Sequence, residues 1–294
     1  MTNHQAKYAI YTAMVGGYDE IMQPKVVDDR FDFILFSNDI KEDRVGVWQI
    51  RSIPYHNEDN TRICRYVKTH PEELLPEYEF SIWMDSNVCI LTNYIYERSI
   101  ELLEQGCKIA SMNHLERDCI YDEAFIVLEF YLDYESVIIN WCHKLRQQNY
   151  PKSNGLFETN VIYRQHIKQI KELNTFWWSC INKYSRRDQL SFNYVLWKQG
   201  INCDYILPLR ENTINSIHFD RVNHSKDNTR LIEYDKNLPW LIRYMDKVPS
   251  AYEDIKNLYY TIYNLPCPRF WSFLFGHLYR VKYFLKRKKC KNNC

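Results

Sequence analysis

Short apolar runs alternate along this chain with longer segments in which apolar residues recur every three or four positions. Apolar runs bounded by turn residues are typical of buried strands, and the longer spacing is typical of helices. The predicted strands cover residues 7–15, 31–36, 47–53, 80–84, 107–112, 160–163 and 202–209. The predicted helices cover residues 63–70, 94–105, 118–148, 166–184 and 188–198. This alternation predicts an α/β fold with a mainly parallel central sheet flanked by helices.

Charged residues are distributed unevenly along the chain of 294 residues, although its net charge is only +1. After Asp254 there are nine Lys or Arg residues and no acid, among many aromatic residues. Such a mixture is typical of segments at membrane interfaces, where basic residues are attracted to anionic lipids. We predict one α/β domain over residues 1–230 and a helical, aromatic and basic extension over 231–294. The alternative for the extension is a docking helix with a disordered basic end.

Several classes of protein are not indicated. The chain has neither a G-x-x-x-x-G-K-[ST] nor a G-x-G-x-x-G loop, which argues against P-loop NTPases and Rossmann dehydrogenases. Its ten cysteines form no C-x-x-C pair, so a zinc ribbon is not supported. No nucleic-acid-binding module is evident, and we expect no nucleic-acid partner.

The N-terminal residues, the lengths of the apolar runs and the cysteines predict where the protein is located. The N-terminal residues have no apolar signal core, and no run is as long as a membrane span. Scattered cysteines fit a reducing compartment. We expect a cytoplasmic protein, either free or peripheral at the inner face of a membrane through its basic extension.

The carboxyl ends of the first two predicted strands are candidate ligand-binding positions, because open α/β sheets bind ligands at that edge. Tyr11, Thr12 and Ala13 end the first strand, where small residues let a nucleobase approach the backbone and a tyrosine can stack on it. Core packing is the alternative for Tyr11. Asp39 follows the second strand and is predicted either to bind a base or ribose or to cap the next turn.

The most informative segment is residues 80–90, where an apolar run ends in Asp85. Burying a carboxylate at the end of a strand costs free energy unless an opposite charge or hydrogen bonds compensate it. A divalent cation that carries a diphosphate is one such partner, because hard cations prefer oxygen ligands. Asn87 stands two residues later as a neutral, weaker ligand. The alternative is that Asp85 caps a turn or pairs with an arginine.

Three basic residues, Arg62, Arg65 and Lys68, are spaced three apart in a predicted helix, which places the first two on one face. Guanidinium groups bind diphosphate oxygens in pairs, and a lysine adds a point charge. These residues are therefore candidates for binding a nucleotide diphosphate. The alternative is a solvated basic face paired with nearby acids, namely Glu58, Asp59, Glu72 and Glu73.

The segments 11–19, 62–68, 81–87, 114–123, 155–158, 177–178 and 185–191 occur in an order that is similar to a known family. The chain resembles the glycosyltransferase-like family first catalogued as a domain of unknown function and later tied to plant cell-wall and mucilage proteins. The resemblance spans roughly residues 8–200. It implies a GT-A fold, distantly similar to retaining enzymes of the glycogenin type, although fold analogy alone does not establish function.

The resemblance also implies a metal site. The sequence Asp85-Ser86-Asn87 departs from the Asp-x-Asp signature of GT-A enzymes. In glycogenin-type enzymes a late histidine completes the site, and His224 is the candidate here. The metal ligands are then Asp85, Asn87 and His224, with Mn²⁺ or Mg²⁺ as cofactor. The alternative is a metal-independent protein in which Arg and Lys side chains carry the diphosphate charge.

The catalytic candidates come from the same resemblance. Asp188 and Gln189 resemble the pair that faces the reacting sugar carbon, and Glu158, in a loop on the acceptor side, is the second candidate carboxylate. Trp177 and Trp178 offer flat faces for an acceptor sugar, although most such pairs lie in the core.

The function implied is transfer of a sugar from a nucleotide sugar, with a UDP-sugar favoured, to a glycan or lipid-linked glycan, as in surface polysaccharide synthesis. A non-catalytic nucleotide- or glycan-binding protein on the same scaffold is the alternative, and Asn87 in place of an acid is its best support.

Overall fold

The computed structural model describes residues 7–17, 19–130 and 132–223. The chain divides into two compact units, one of residues 1–120 and 153–228 and the other of residues 121–152 and 229–294. The extension predicted over residues 231–294 lies outside the described residues, so the boundary near residue 230 stays a prediction. Among the described helices, none is both long and apolar enough to cross a membrane.

The described residues form ten strands and seven helices. The strands are β1 (Tyr8–Ala13), β2 (Phe31–Phe36), β3 (Arg44–Val45), β4 (Trp48–Arg51), β5 (Phe80–Met84), β6 (Val88–Ile90), β7 (Ile109–Asn113), β8 (Phe157–Gln165), β9 (Asp204–Tyr205) and β10 (Phe219–Arg221). The helices are α1 (Asn60–Thr69), α2 (Pro71–Leu74), α3 (Tyr94–Glu104), α4 (Ile120–Glu129), α5 (Glu135–Gln147), α6 (Lys168–Lys183) and α7 (Gln189–Gln199).

Eight strands form one sheet in the order β3-β4-β2-β1-β5-β8-β7-β9. The pairings β4–β2, β2–β1, β1–β5 and β7–β9 are parallel, whereas β3–β4, β5–β8 and β8–β7 are antiparallel. Strands β6 and β10 form a separate antiparallel pair. The predicted α/β class with a mostly parallel central sheet is confirmed.

The two faces of the large sheet differ because side chains alternate along each strand. On one face Ile10, Phe33 and Ile82 belong to an apolar core that includes Tyr96 of α3. On the other face the alternate residues meet α1, α6 and α7, with α1 against β1 and α7 against β8. We call these the apolar face and the polar face.

The segment 118–148, predicted as one helical pattern, contains two helices, α4 and α5. Asp133 Oδ1 accepts the backbone N–H of Tyr134 at 2.8 Å, and Tyr134 has the extended backbone of a helix N-cap. An aspartate that bonds locally to the backbone favours a helix start over a helix interior. Within this second unit, Arg146 stacks 3.9 Å above the ring of Tyr121.

Candidate functional site

The polar side chains of the candidate site meet at the carboxyl edge of β1, β2 and β5. Strand β8 is antiparallel to β5, so its first residues lie at the same edge as the last residues of β5. The backbone N–H of Asp85 donates to the carbonyl of Asn160 at 2.8 Å. This pairing brings Asp85, which follows β5, beside Glu158 and Thr159 at the start of β8.

Helix α1 presents two basic side chains to this edge. It begins after Asp59, whose carboxylate accepts the N–H of Thr61 at 2.9 Å as an N-cap. Arg65 and Lys68 are three residues apart and therefore lie on one side of the helix. Helix α7 begins at Gln189, so the preceding residue, Asp188, is held where the chain enters that helix.

Four charged side chains form what we call the charge cluster, Arg65, Lys68, Asp85 and Asp188. Lys68 Nζ lies 2.5 Å from Asp188 Oδ2 and 3.4 Å from Asp85 Oδ1. Arg65 Nε lies 2.8 Å from Asp188 Oδ1. The charges sum to zero, so two carboxylates share two cations.

Two neutral side chains donate further hydrogen bonds to the carboxylates of Asp188 and Asp85. Thr159 Oγ1 donates to Asp188 Oδ2 at 2.8 Å, and Trp83 Nε1 donates to Asp85 Oδ1 at 2.7 Å. The hydrogen bond from Thr159 favours the charged form of Asp188. Each donor comes from a strand of the sheet, so both carboxylates are fixed relative to the sheet edge.

The charge cluster is buried at one end and open at the other. Lys68 is fully buried and the Asp188 side chain is 4% exposed, whereas the Asp85 side chain is 28% exposed. Burial alone would raise the pKa of Asp188, but the charges of Arg65 and Lys68 outweigh it and hold that pKa well below its usual range. Asp188 is therefore ionised at neutral pH. Asp85 is the member of the charge cluster most open to a ligand.

A second polar group surrounds Glu158, which is 8% exposed. Its carboxylate accepts the amides of Asn212 at 2.7 Å and Asn160 at 3.0 Å, and Arg221 Nη1 lies 3.4 Å away. Sequence reasoning missed these three partners. Consecutive polar residues at the start of an otherwise apolar strand, Glu158 to Asn160, were a usable signal for this group.

Asp19 is a further residue that sequence reasoning missed. Ser86 Oγ donates to its carboxylate at 2.7 Å, which brings a second acid beside the Asp85-Ser86-Asn87 segment. The same loop contains Gly16, whose φ is +78° and whose N–H donates to Asp39 Oδ2 at 2.5 Å. The Asp39 carboxylate therefore accepts a hydrogen bond from the loop after β1, and its contact with a base or ribose stays a prediction.

The structure explains why an amide stands at position 87. Asn87 Nδ2 donates to the carbonyl of Val222 at 2.8 Å, while the N–H of Val222 donates to the carbonyl of Asn87. An aspartate could not donate this side-chain bond. Asn87 thus ties the segment after β5 to the chain beyond β10.

The fit of Asp85 and Asn87 to a divalent cation is partial. The described residues hold no group of three or more His, Cys, Asp or Glu side chains that could ligate a metal. Asp85 Oδ2 accepts no hydrogen bond from any described residue, so this oxygen and the amide oxygen of Asn87 suit a hard cation. His224, the third predicted ligand, lies outside the described residues.

The predicted diphosphate-binding residues are all engaged with protein atoms. Arg62 donates to the backbone carbonyls of Ile181 and, at 3.2 Å, Tyr184, so it joins α1 to the end of α6. Arg65 and Lys68 belong to the charge cluster. Arg62 also lies 3.7 Å from Asp59, one of the acids named in the alternative drawn from the sequence.

The residues that end β1 face the interior. Tyr11 is fully buried, with its ring edge-on to Trp83, and Thr12 and Ala13 are 2% and 5% exposed. A ring without an exposed face cannot stack on a nucleobase. The structure therefore favours the core-packing alternative for Tyr11.

The two predicted acceptor residues lie in different environments. Trp177 is fully buried and donates through Nε1 to the carbonyl of Asp188 at 3.1 Å, so it packs in the core where a sugar-stacking surface was predicted. Trp178 is half-buried, and its ring contacts those of Tyr55 and Tyr66. Gln189 is half-buried as the first residue of α7.

Comparisons with known proteins agree with the resemblance drawn from the sequence. Residues 2–213 match the family described as TOD1/MUCI70, glycosyltransferase-like domain. No curated protein matches the chain significantly. Among solved structures, an apo structure of the WbbM bifunctional glycosyltransferase is similar at 12% identity with a TM-score of 0.40. That match covers 71% of this chain and 40% of the solved chain, so this chain spans well under half of that protein's length.

Proposed function

The chain belongs to the TOD1/MUCI70 glycosyltransferase-like family, and on that premise we propose that it transfers a sugar from a nucleotide sugar to a glycan acceptor. The observation that carries the proposal is the charge cluster at the carboxyl edge of the sheet, with partly exposed Asp85 at its open end. Ligands of open α/β sheets bind at this edge. A UDP-sugar is the favoured donor, and a glycan or lipid-linked glycan of a surface polysaccharide is the favoured acceptor.

In the proposed reaction the bond between the anomeric carbon and the diphosphate oxygen breaks, and the carbon bonds to an acceptor hydroxyl. The nucleoside diphosphate leaves with the electron pair, and the hydroxyl loses its proton. Arg65 and Lys68 would offset the charge that develops on the leaving group. They must then exchange part of their contact with Asp188 for the donor.

The two predicted catalytic carboxylates suit different roles. Asp188, whose pKa is held well below its usual range by Arg65 and Lys68, is a weak base and suits stabilisation of positive charge on the sugar. We assign that role to Asp188, beside Gln189, and acceptance of the hydroxyl proton to Glu158. Trp178 is the remaining candidate for stacking on an acceptor sugar.

A divalent cation is part of this proposal. Asp85 Oδ2 and the amide oxygen of Asn87 would hold Mn²⁺ or Mg²⁺, with His224 as a further ligand. When bound, the ion would neutralise charge on the departing diphosphate.

The first experiment is a thermal-shift series with UDP, GDP, CDP and their sugars, with and without Mn²⁺. We expect a UDP compound to raise the melting temperature and Asp85→Asn to remove the metal-dependent part of that shift. Glu77→Gln is the matched control, because Glu77 is 29% exposed, pairs with Arg51 and precedes β5, whereas Asp85 follows that strand. No shift with any nucleotide would refute the proposal.

The alternative of a non-catalytic binding protein predicts a different outcome. Incubation with UDP-sugars would then give binding without release of free UDP. Slow release of UDP that Asp85→Asn abolishes and Glu77→Gln preserves supports the enzyme.

Contact with an anionic membrane surface through the basic extension is a separate proposal. Sedimentation of the full chain with vesicles that contain phosphatidylserine should exceed that with neutral vesicles, and salt should weaken it. Equal sedimentation with both would refute it.

A further inference from the structure

Lys68 lies in the last turn of α1, where backbone carbonyls have no partner within the helix. Its carbonyl oxygen accepts two buried hydrogen bonds from the sheet. Tyr11 OH donates at 3.0 Å from β1, and Arg164 Nη2 donates at 2.6 Å from β8. We call Tyr11 and Arg164 the carbonyl clamp.

Arg164 is unusual because it is a fully buried charge on the polar face of a central strand. Such a charge is costly unless hydrogen bonds and opposite charge compensate it. Arg164 Nη1 donates to Asn174 Oδ1 at 2.9 Å, and Asn174 Nδ2 donates to Glu72 Oε1 at 2.7 Å. Arg164 also contacts the hydroxyl of Tyr11. This chain of bonds fixes the orientation of the guanidinium toward α1.

Lys68 is therefore held at both ends. The carbonyl clamp fixes its backbone, while its ammonium lies between Asp188 and Asp85. A cation at a helix C-terminus is also favourable for the helix dipole, which adds to the fixation by Arg164.

We propose that Arg164 and Tyr11 are positioning residues of the candidate site, which hold the Lys68 ammonium at the carboxyl edge of the sheet. The inference rests on the proposed function for what Lys68 then does to a diphosphate. It also gives Tyr11 a role other than stacking on a nucleobase. The competing explanation is that the carbonyl clamp only stabilises the fold.

Two tyrosines on opposite faces of the sheet allow a matched test. Tyr96 is fully buried and donates to the carbonyl of Val26 at 2.6 Å, but it belongs to the apolar face. Tyr11→Phe and Tyr96→Phe each delete one buried hydroxyl that bonds a backbone carbonyl. Both should lower the melting temperature by similar amounts.

The distinguishing measurement is the rate at which the Lys68 side-chain amine, in its deprotonated form, is acetylated. The folded protein is treated briefly with acetic anhydride, and acetylation of Lys68 is followed by mass spectrometry of its peptides. We expect Tyr11→Phe to raise the rate about fivefold, the factor for one lost buried hydrogen bond, and Tyr96→Phe to leave it unchanged. If UDP-sugar turnover is present, kcat should fall in Tyr11→Phe alone.

Equal changes in Lys68 acetylation in the two variants, or no change in either, would overturn the inference. Should Tyr11→Phe not fold, Asn174→Ala frees Arg164 Nη1 instead and should raise the same rate. Failure of the proposed function is distinguishable, because it appears as no binding of any nucleotide sugar to the wild-type protein. A selective effect on Lys68 would then still support the carbonyl clamp.

Discussion

The two faces of the central sheet are built from the same strands but by different chemistry. On the apolar face, residues such as Ile10, Phe33 and Ile82 pack against α3. On the polar face, Tyr11 and Arg164 donate hydrogen bonds to the Lys68 carbonyl of α1, and the ring of Trp83 lies edge-on to that of Tyr11. A shift of one residue along β1, β5 or β8 thus leads from the apolar core to side chains that form buried hydrogen bonds.

This difference indicates that the two faces contribute differently to the stability of the protein and to the geometry of the candidate site. Apolar packing is non-directional and tolerates small shifts, so it stabilises the sheet without fixing any polar atom. Buried hydrogen bonds are directional and costly to leave unmade, so they fix the positions of their partners. We therefore expect mutations on the apolar face to change stability alone, and mutations on the polar face to change stability and the site together.

Removal of the Lys68 ammonium should have the largest effect. Lys68→Met leaves Asp188 buried with one cation fewer, and breaking a buried ion pair costs about 3–5 kcal/mol. Lys168→Met is the control, because Lys168 and its partner Glu172 are 90% and 61% exposed and such surface pairs contribute less than about 1 kcal/mol. Urea unfolding of both variants measures the difference. Similar losses in the two would show that the buried pair of Lys68 and Asp188 contributes no more to stability than a surface pair.

Truncation on the apolar face should cost nearly as much without altering the site. Ile82→Ala removes a fully buried side chain from β5, the strand that leads to Asp85, and should cost about 2–5 kcal/mol. The affinity for a UDP-sugar, measured by calorimetry well below the melting temperature, should stay within a factor of about two, since no polar partner is lost. A large loss of affinity would show that the apolar face also positions the site.

The fold was predictable where the pattern of the chain was simple. The strands at 31–36 and 80–84 have the predicted bounds, because each is a short, mostly apolar run bounded by turn residues. The break between α4 and α5 was missed, because helical spacing of apolar residues continues across it. Strands β3, β6 and β10 have two or three residues, too few to carry a period.

The residues of the candidate site could be selected from the sequence, but the contacts between them could not. Lys68, Asp85 and Asp188 were each selected from the sequence. That they pair with one another depends on strand order and on where α7 begins, and 120 residues separate Lys68 from Asp188. Arg164 directly follows the apolar run of residues 161–163, but it donates to a backbone carbonyl of a helix that no local pattern identifies.

The polar face should also make the protein sensitive to acid. Burial lowers the pKa of His166 to about 4, and the charge of Arg164 adds to this effect. Between its ordinary value near 6.5 and 4, the unfolded chain binds a proton that the folded protein does not, so stability falls as pH falls through this window. His166→Gln should reduce this acid-induced loss in the free energy of unfolding by about 1–2 kcal/mol, after allowance for the partial exposure of the ring.

Unfolding by urea at pH 7 and pH 4.5 measures the effect on each variant. His56→Gln is the control, because His56 is exposed. Part of the fall should remain in His166→Gln, since burial and Arg117 also lower the pKa of His114 to about 4. An unchanged pH dependence in His166→Gln would show that this ring is protonated equally in both states.

The smallest effect is expected at the start of α1, the end of the helix away from the carbonyl clamp. Asp59→Ala removes the side-chain acceptor of the Thr61 N–H and a contact with Arg186 at 3.2 Å, and should cost about 1 kcal/mol. Asp59→Asn keeps the capping oxygen and should cost less. Because α1 is fixed at its other end by Tyr11 and Arg164, acetylation of Lys68 should be unchanged in both variants. Faster acetylation in Asp59→Ala would mean that the whole helix, and not the clamp on its last turn, determines where the ammonium lies.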